Sequence, residues 1–202
     1  AFGAELKKGK KADAQRGYEI ACKEWMDVRS FGQVFAFKGS DLSLGIRGPV
    51  SVQPAFSVDP IDITSMQITK SVNSEDKEGK SSDTMGMKHR VDFGVYILKG
   101  SINVQLSEKT GFTEEDAEKI KEAIRTLFVN DSSSARPDGS MVMHKLYWWK
   151  HNCKIGQYSS HKVHNSIEIK KKEGVRNPRK IEDYEIICHE LPGLAVEEYE
   201  GL

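Results

Sequence analysis

Gly45-Ile46-Arg47-Gly48-Pro49-Val50 opens, and Thr84-Met85-Gly86-Met87-Lys88-His89-Arg90-Val91-Asp92-Phe93-Gly94-Val95-Tyr96 closes, the stretch on which the reading of this chain turns. Between them runs Ser71 to Asp83, where Val72 is the only residue with an apolar side chain. That run cannot contribute to a core and is expected to be mobile. Ile61, Ile63, Met66 and Ile68 supply an outgoing arm, and Met87 to Leu98 a returning one. Two strand-like arms around a long polar tip predict a projecting hairpin on a rigid base. Its arms are basic and rich in methionine, which suits contact with a polyanion.

Upstream, Tyr18, Ala21, Cys22 and Trp25 fall at helical spacing and predict a helix over Ala14–Met26, ended by Asp27-Val28-Arg29-Ser30. Phe31–Phe37 then reads as a strand, with Val34, Phe35 and Phe37 as its β-prone bulk. Ile46–Phe56 reads as a second strand, in which Gly45 and Gly48 mark a bulge or a close backbone approach. Downstream, period-two alternation predicts a strand over Tyr96–Leu106. Thr113 followed by Glu114, Glu115 and Asp116 makes a helix N-terminus, and the stripe Ala117, Ile120, Ala123, Ile124, Leu127, Phe128 carries that helix to about Val129. Met141–Trp149 is apolar on most positions and reads as a central strand. His151–His164 reads as irregular, with weaker strands over Ser166–Ile169 and Glu185–Cys188. With one strand placed in front, this order is β-α-β-β-α-β, the α+β, ferredoxin-like split pattern. In its RNA-recognition (RRM-like) version that sheet is a nucleic-acid platform.

A chain of 202 residues, 38% apolar and 30% charged, suits one domain with a core of ordinary size. Lys+Arg and Asp+Glu balance at 30 each, so net charge says nothing of nucleic acid. Their distribution is uneven: no Lys or Arg follows Lys180, whereas Glu182, Asp183, Glu185, Glu190, Glu197, Glu198 and Glu200 do. Either the acidic tail masks a basic surface upstream, or it is a solvated terminus. Cys22, Cys153 and Cys188 form no CxxC pair, which suits a reducing cytoplasm. No apolar run reaches the ~18 residues of a membrane span.

Five short motifs occur in one order: Asp27-Val28-Arg29-Ser30-Phe31-Gly32, Gly45-Ile46-Arg47-Gly48-Pro49-Val50, Ser57-Val58-Asp59-Pro60-Ile61, Met85-Gly86-Met87-Lys88-His89 and Glu108-Lys109-Thr110-Gly111-Phe112-Thr113-Glu114-Glu115-Asp116. Each alone is weak. Together, over about Trp25 to Asn152, they closely resemble the backbone subunit of Cascade, the RNA-guided surveillance complex of CRISPR systems, most of all in subtypes I-C and I-B. The resemblance implies a hand-shaped protein of one domain over 1–202: a ferredoxin-like palm (about 14–60 and 91–152), finger loops, a thumb hairpin (about 61–90) and a C-terminal extension (about 153–202). The first palm strand, and the Asn/Gly/Asp-rich segment after it, are expected to be missing from this chain. The implied role is that of a scaffold, not an enzyme. Copies stack along guide RNA (crRNA) as a helical filament, each thumb displacing a base, and the guide pairs with target DNA. The implied partners include a subunit capping the RNA 5′ end and a large subunit.

Residue by residue, Arg47 between two glycines suits a phosphate fork, with Gly48 leaving room for the backbone to approach. Spacing alone equally allows an ion pair with a neighbouring acid. Arg29 and Lys38 flank the first strand and extend the same groove. Lys88, His89 and Arg90 return from the hairpin as a basic triplet, and Met66 and Met85 are wedges for an unstacked base or packing at the hairpin base. Ser134 and Arg136 lie in a loop suited to phosphate. Tyr147, Trp148 and Trp149 alternate faces on their strand, so at least one is core. His151, Cys153, His161 and His164 have no standard zinc spacing, and no cofactor motif occurs. Asp59 and Asp62 are explained as well by a turn at Pro60 as by chemistry. The rival function is a ribonuclease with the same palm, kept open by six histidines and weakened by the lack of paired carboxylates.

Overall fold

The computed structural model describes residues 11–36, 43–69 and 85–202. The chain divides into two compact units. The first takes Ala1–Gln53, Gly100–Ser166 and His189–Leu202, the second Pro54–Lys99 and Ile167–Cys188.

In the first unit, helix α1 (Lys11–Glu24) and the short α2 (Met26–Phe31) lead into an antiparallel hairpin of β1 (Gly32–Ala36) and β2 (Ser43–Arg47). Ala21, Cys22, Val28, Leu44 and Ile46 form the core, with Tyr18 and Phe35 packed on it. The helix expected to end at Asp27–Ser30 instead breaks at Trp25 and resumes. Ser30 stays helical by donating its hydroxyl to Met26 O at 2.6 Å, and Gly32, at φ +83°, is what stops the turn.

Two long strands of the sequence reading are each several short elements. Ile46–Phe56 contains the end of β2, then β3 (Val50–Val52), and the start of β4 (Phe56–Ser57), because Pro49 and Pro54 cannot donate to a ladder. Tyr96–Leu106 contains β7 (Tyr96–Ile97), β8 (Gly100–Ile102) and the first turn of helix α3 (Val104–Thr110). The alternation Ile102-x-Val104-x-Leu106 concealed this helix. Its signal is Asn103, whose side-chain oxygen accepts from Leu106 N at 2.9 Å, and Gly111 at φ +74° closes it. β3 pairs with β8 and β4 with β7.

Helix α4 (Glu114–Arg125) follows a full capping box: Thr113 Oγ1 accepts from Asp116 N at 3.2 Å, and Asp116 Oδ2 accepts from Thr113 N at 3.0 Å. It ends four residues short of the expected Val129. Strand β9 (Lys145–Trp149) is shorter than read. Rather than lying centrally, among the described residues it pairs only with β12 (Val196–Glu200), a strand the sequence reading left as acidic tail. Two of the tail's acids, Glu197 and Glu198, are engaged rather than solvated. Glu197 accepts from Lys121 Nζ at 3.0 Å and from Tyr199 Oη at 2.6 Å, Glu118 accepts from the same ammonium at 2.9 Å, and Glu198 pairs with Lys145. The buried Lys121 also lies 5.1 Å from the centroid of the Trp148 ring, which assigns Trp148 to the α4 side of β9. A short helix α5 (Ser160–His164) occupies part of the segment read as irregular.

The second unit holds β4–β7, the long hairpin of β5 (Ile63–Thr69) and β6 (Met85–Val91), and the hairpin of β10 (Ile167–Lys171) and β11 (Tyr184–Cys188). Buried Tyr184 donates its hydroxyl to Asp59 Oδ2 at 2.8 Å, and Lys171 Nζ reaches Asp59 at 3.2 Å. Asp59 thus joins β10 and β11 to the segment before β5.

Gly48 decides how closely α2 meets β2. A Cβ there would lie 2.2 Å from Ser30 O and 2.5 Å from Phe31 C, both backbone atoms that cannot rotate away. Gly48→Ala is therefore expected to lower stability by about 2–3 kcal/mol through overpacking. Gly45→Ala meets nothing within 4 Å and is expected to be close to neutral. Urea midpoints of the two variants check the pair; equal midpoints would mean that α2 and β2 are not held in this contact.

Candidate nucleic-acid interface

The register of β1 and β2 sorts their side chains. Gln33, Phe35, Leu44 and Ile46 share the face on the core, while Gly32, Val34, Ala36, Ser43, Gly45 and Arg47 share the other. Among the described residues the second face is open: Val34 is 69% exposed, and nothing lies within 4 Å of a Cβ built at Gly45. Arg47 stands at its end, opposite Gly32, exposed and with no ion pair to any described residue. Small neighbours leave a flat strip beside a guanidinium that has no ion pair to a described residue, a geometry that admits a sugar–phosphate backbone.

The other expected members of this groove behave differently. Arg29 forks onto Asp116 at 2.8 and 2.7 Å, and Asp116 is 1% exposed. The guanidinium's hydrogen bonds, followed by those of Thr113, hold the Asp116 carboxyl at about 2, and the carboxylate in turn raises Arg29. Arg29 is thereby committed to tying α2 to α4. Gly48 serves the α2–β2 contact rather than an open approach to solvent. Lys38 lies outside the described residues.

The β5–β6 hairpin exposes both faces, and its register divides the basic triplet. Thr64, Met66 and Ile68 share one face with Arg90, Lys88 and Gly86; Ile63, Ser65, Gln67 and Thr69 share the other with Val91, His89, Met87 and Met85. The first face therefore carries two cations beside two apolar side chains. Arg90 contacts Asp92 at 2.7 Å, and Asp92 also accepts from Thr64 Oγ1 at 2.7 Å, a bond that is the first cause of its lowered carboxyl. Lys88 has no ion pair with a described residue. On the second face His89 Nδ1 meets Ser65 Oγ at 2.8 Å, and Met85 Sδ accepts from Gln67 Nε2 at 2.8 Å. Met66, Met85 and Met87 are 38, 64 and 57% exposed, so they do not pack the hairpin's base.

The loop after α4 is a tight turn in which Ser133 N donates to Arg136 O at 2.7 Å and Arg136 N to Ser133 O at 3.1 Å. Ser134 is exposed, and Arg136 Nη2 reaches Asp131 at 3.0 Å. The turn's amides serve each other, and its guanidinium is half-exposed and shared with an acid.

The chain matches the model of the family described as CRISPR-associated protein Cas7 over residues 3–189. It belongs to the Cas7 family. No curated protein shows significant similarity to it. Cas7 membership carries a CRISPR-associated, RNA-binding backbone role in interference, in association with crRNA and other Cas subunits. Cas7 proteins are generally structural backbone subunits, although some members have nuclease activity.

Among the described residues of this Cas7 chain, no three His, Cys, Asp or Glu side chains gather as metal ligands. His151 Nδ1 accepts from Gln157 N at 3.0 Å, His164 Nε2 meets Gly100 O at 3.0 Å, and His161 Nε2 meets Asn165 Nδ2 at 3.0 Å. Asp59 is held low first by the Tyr184 hydroxyl and serves as a tether. No described helix is long and apolar enough to cross a membrane. The sequence reading missed Asp116 as the partner of Arg29. Its signal, a carboxylate three residues after the N-cap threonine, was visible, but the long-range fork to it was not.

Proposed function

We propose that this Cas7 chain is a guide-RNA-binding scaffold of a type I Cascade, most like the subtype I-C or I-B backbone subunit. It oligomerises along crRNA in the cytoplasm and offers the guide's bases for pairing with target DNA. Its palm is ferredoxin-like, the β5–β6 hairpin is the thumb, and its neighbours are further copies, the subunit at the RNA 5′ end and the large subunit. The reading is supported by the family match and above all by Arg47, a cation with no ion pair to a described residue on a glycine-lined face. Sequence-independent phosphate contacts suit a protein whose specificity resides in the guide.

A ribonuclease of the same family is the second reading, favoured by the nuclease activity of some Cas7 members. Against it, His151, His161 and His164 each meet a different partner, Gln157, Asn165 and Gly100.

Two measurements separate these readings. The scaffold should purify with RNA of defined length, and that RNA should stay intact during long incubation with divalent metal. Its affinity for a uridine homopolymer should fall with salt at a log–log slope near ~0.7 per phosphate contact, and Arg47→Ala should flatten the slope by about one contact on every sequence. Equal affinity at low and high salt would remove phosphate binding as the mechanism; degraded RNA would favour the nuclease.

A further inference from the structure

The second unit carries a basic element outside the sites described above. From the end of β10 toward β11 runs Lys170-Lys171-Lys172-Glu173-Gly174-Val175-Arg176-Asn177-Pro178-Arg179-Lys180, six cations against one acid. Two of the six are occupied: Lys170 pairs with Glu168 at 2.8 Å and Lys171 with Asp59 at 3.2 Å. Lys172, Arg176, Arg179 and Lys180 are exposed and form no ion pair with a described residue.

The tip that holds them is built rather than loose. Lys172 N donates to Asp183 O at 2.9 Å and extends the β10–β11 ladder by one step. Val175 N donates to Lys172 O at 3.1 Å and closes a turn, with Gly174 at φ +82°. Asp183 Oδ2 accepts from the backbone amides of Arg179 at 2.7 Å and of Lys180 at 3.2 Å. These amides, Arg179's first, lower the Asp183 carboxyl, and the charges of Lys180 and Lys172 add to the effect; its hydrogen bonds go to backbone. Asp59, through Tyr184 and Lys171, fixes the hairpin to the rest of its unit.

Arg179 of the tip lies within electrostatic reach of Asp92, the residue after β6. The Asp92 carboxyl, lowered first by Thr64 and next by Arg90, also feels the charge of Arg179. Asp92 follows β6 and binds Arg90, which shares its face with Lys88.

We infer that the β10–β11 tip is a second phosphodiester-binding site, in which Lys172, Arg176, Arg179 and Lys180 hold a nucleic-acid backbone adjoining the face of β5–β6 that carries Lys88 and Arg90. Cations on a preformed turn lose little freedom on binding, and arginines fork onto phosphate oxygens. An acidic protein is a poorer occupant, because such interfaces rest on buried aromatic or apolar anchors, and Val175, half-buried, is the tip's only large aliphatic side chain. The strand is either the guide or a duplex beside it; both present the same phosphodiester. The inference rests on the nucleic-acid reading of the chain and adds a site to it.

The test uses R176E/R179E/K180E in the full chain, with K119E/K150E/K154E as a control of equal charge change in the first unit. The probes are a uridine homopolymer and a random-sequence DNA duplex. The tip variant should bind one of them about tenfold or more weakly at moderate salt, with a shallower salt slope, while the control stays within about threefold of wild type. Loss on the homopolymer assigns the guide strand, and loss on the duplex assigns the duplex. No change on either probe, or an equal loss in the control, overturns the site. The glutamine versions of the same residues, which add no negative charge, are measured alongside; if the glutamates unfold the unit, the glutamine slopes decide. Wild-type protein that binds neither probe would instead refute the parent reading.

Discussion

Replacing Asp116 with alanine is expected to destabilise the first unit by about 3–5 kcal/mol, because it leaves the Arg29 guanidinium largely buried without its counterion. Asp116 is the side chain on which two helices, α2 and α4, depend. It accepts the Arg29 fork from α2, completes the capping box of α4 through Thr113, and is 1% exposed. The substitution therefore removes a cap and a buried charge pair together. Asp116→Asn keeps the shape and one acceptor and is expected to cost less, but it removes the titration. In wild type the folded carboxyl sits at about 2, below its ordinary value of 3.8. A carboxyl lowered in the folded state contributes stability that is complete above about pH 4 and lost as pH falls toward 2. That shift is worth about 2.5 kcal/mol. Asp59, Asp183 and Glu197 are also lowered and share the same acid limb. Asp116→Asn should therefore flatten the acid limb of the stability–pH curve by roughly its own share rather than abolish it. A variant that keeps the wild-type midpoint and the full acid limb would show that the Arg29–Asp116 pair does not hold α2 to α4.

What could be read from the sequence follows from how local each signal is. The α4 N-terminus was legible because a capping box and an apolar stripe lie within about one helix length. The β5–β6 arms were legible because both run as extended segments around an unpackable tip, although the returning arm, read over Met87–Leu98, is β6 at Met85–Val91. Helix α3 was missed because Ile102, Val104 and Leu106 alternate as a strand does, and Asn103 at the cap is what marks the start of the helix. Strand β12 was missed because its glutamates look like a solvated tail until Lys121 and Lys145 are opposite them. The site shows the same limit. The glycines around Arg47 were read as one open approach, whereas they have opposite roles: Gly45 meets nothing within 4 Å and Gly48 lets a backbone in. Arg29 could not be told from Arg47 by composition, because its partner lies 87 residues away. The triplet Lys88-His89-Arg90 reads as one basic patch in sequence, and only strand geometry turns His89 to the opposite face.

Removing the β5–β6 hairpin is expected to abolish RNA-dependent assembly while leaving the rest of the chain folded. Ile63 and Val91 are opposed in the ladder, so their Cα atoms stand within roughly 6 Å and a short Gly-Ser link can join Asp62 to Asp92. Closing so short a loop costs little entropy. Every described residue of the two strands is paired within the hairpin, and both faces are largely solvent-exposed, so their removal uncovers no core. The melting temperature should stay within about 4 °C of wild type, the shift that ~1–2 kcal/mol produces in a chain of this size. Binding to RNA through Arg47 should persist at reduced affinity, whereas ordered filaments seen by electron microscopy should disappear, because no projecting arm remains to cross to the next copy. Point variants keep the idea testable if the deletion unfolds. Met66→Glu with Ile68→Glu places acids beside Lys88 on one face; Met85→Glu with Met87→Glu does the same beside His89 on the other. The face that grips RNA should lose assembly when made acidic, and the Met66–Ile68 face, which carries Lys88 and Arg90, is the one expected to fail. Filaments of normal length from the hairpin-free chain, or from both acidic pairs, would show that assembly does not pass through this hairpin.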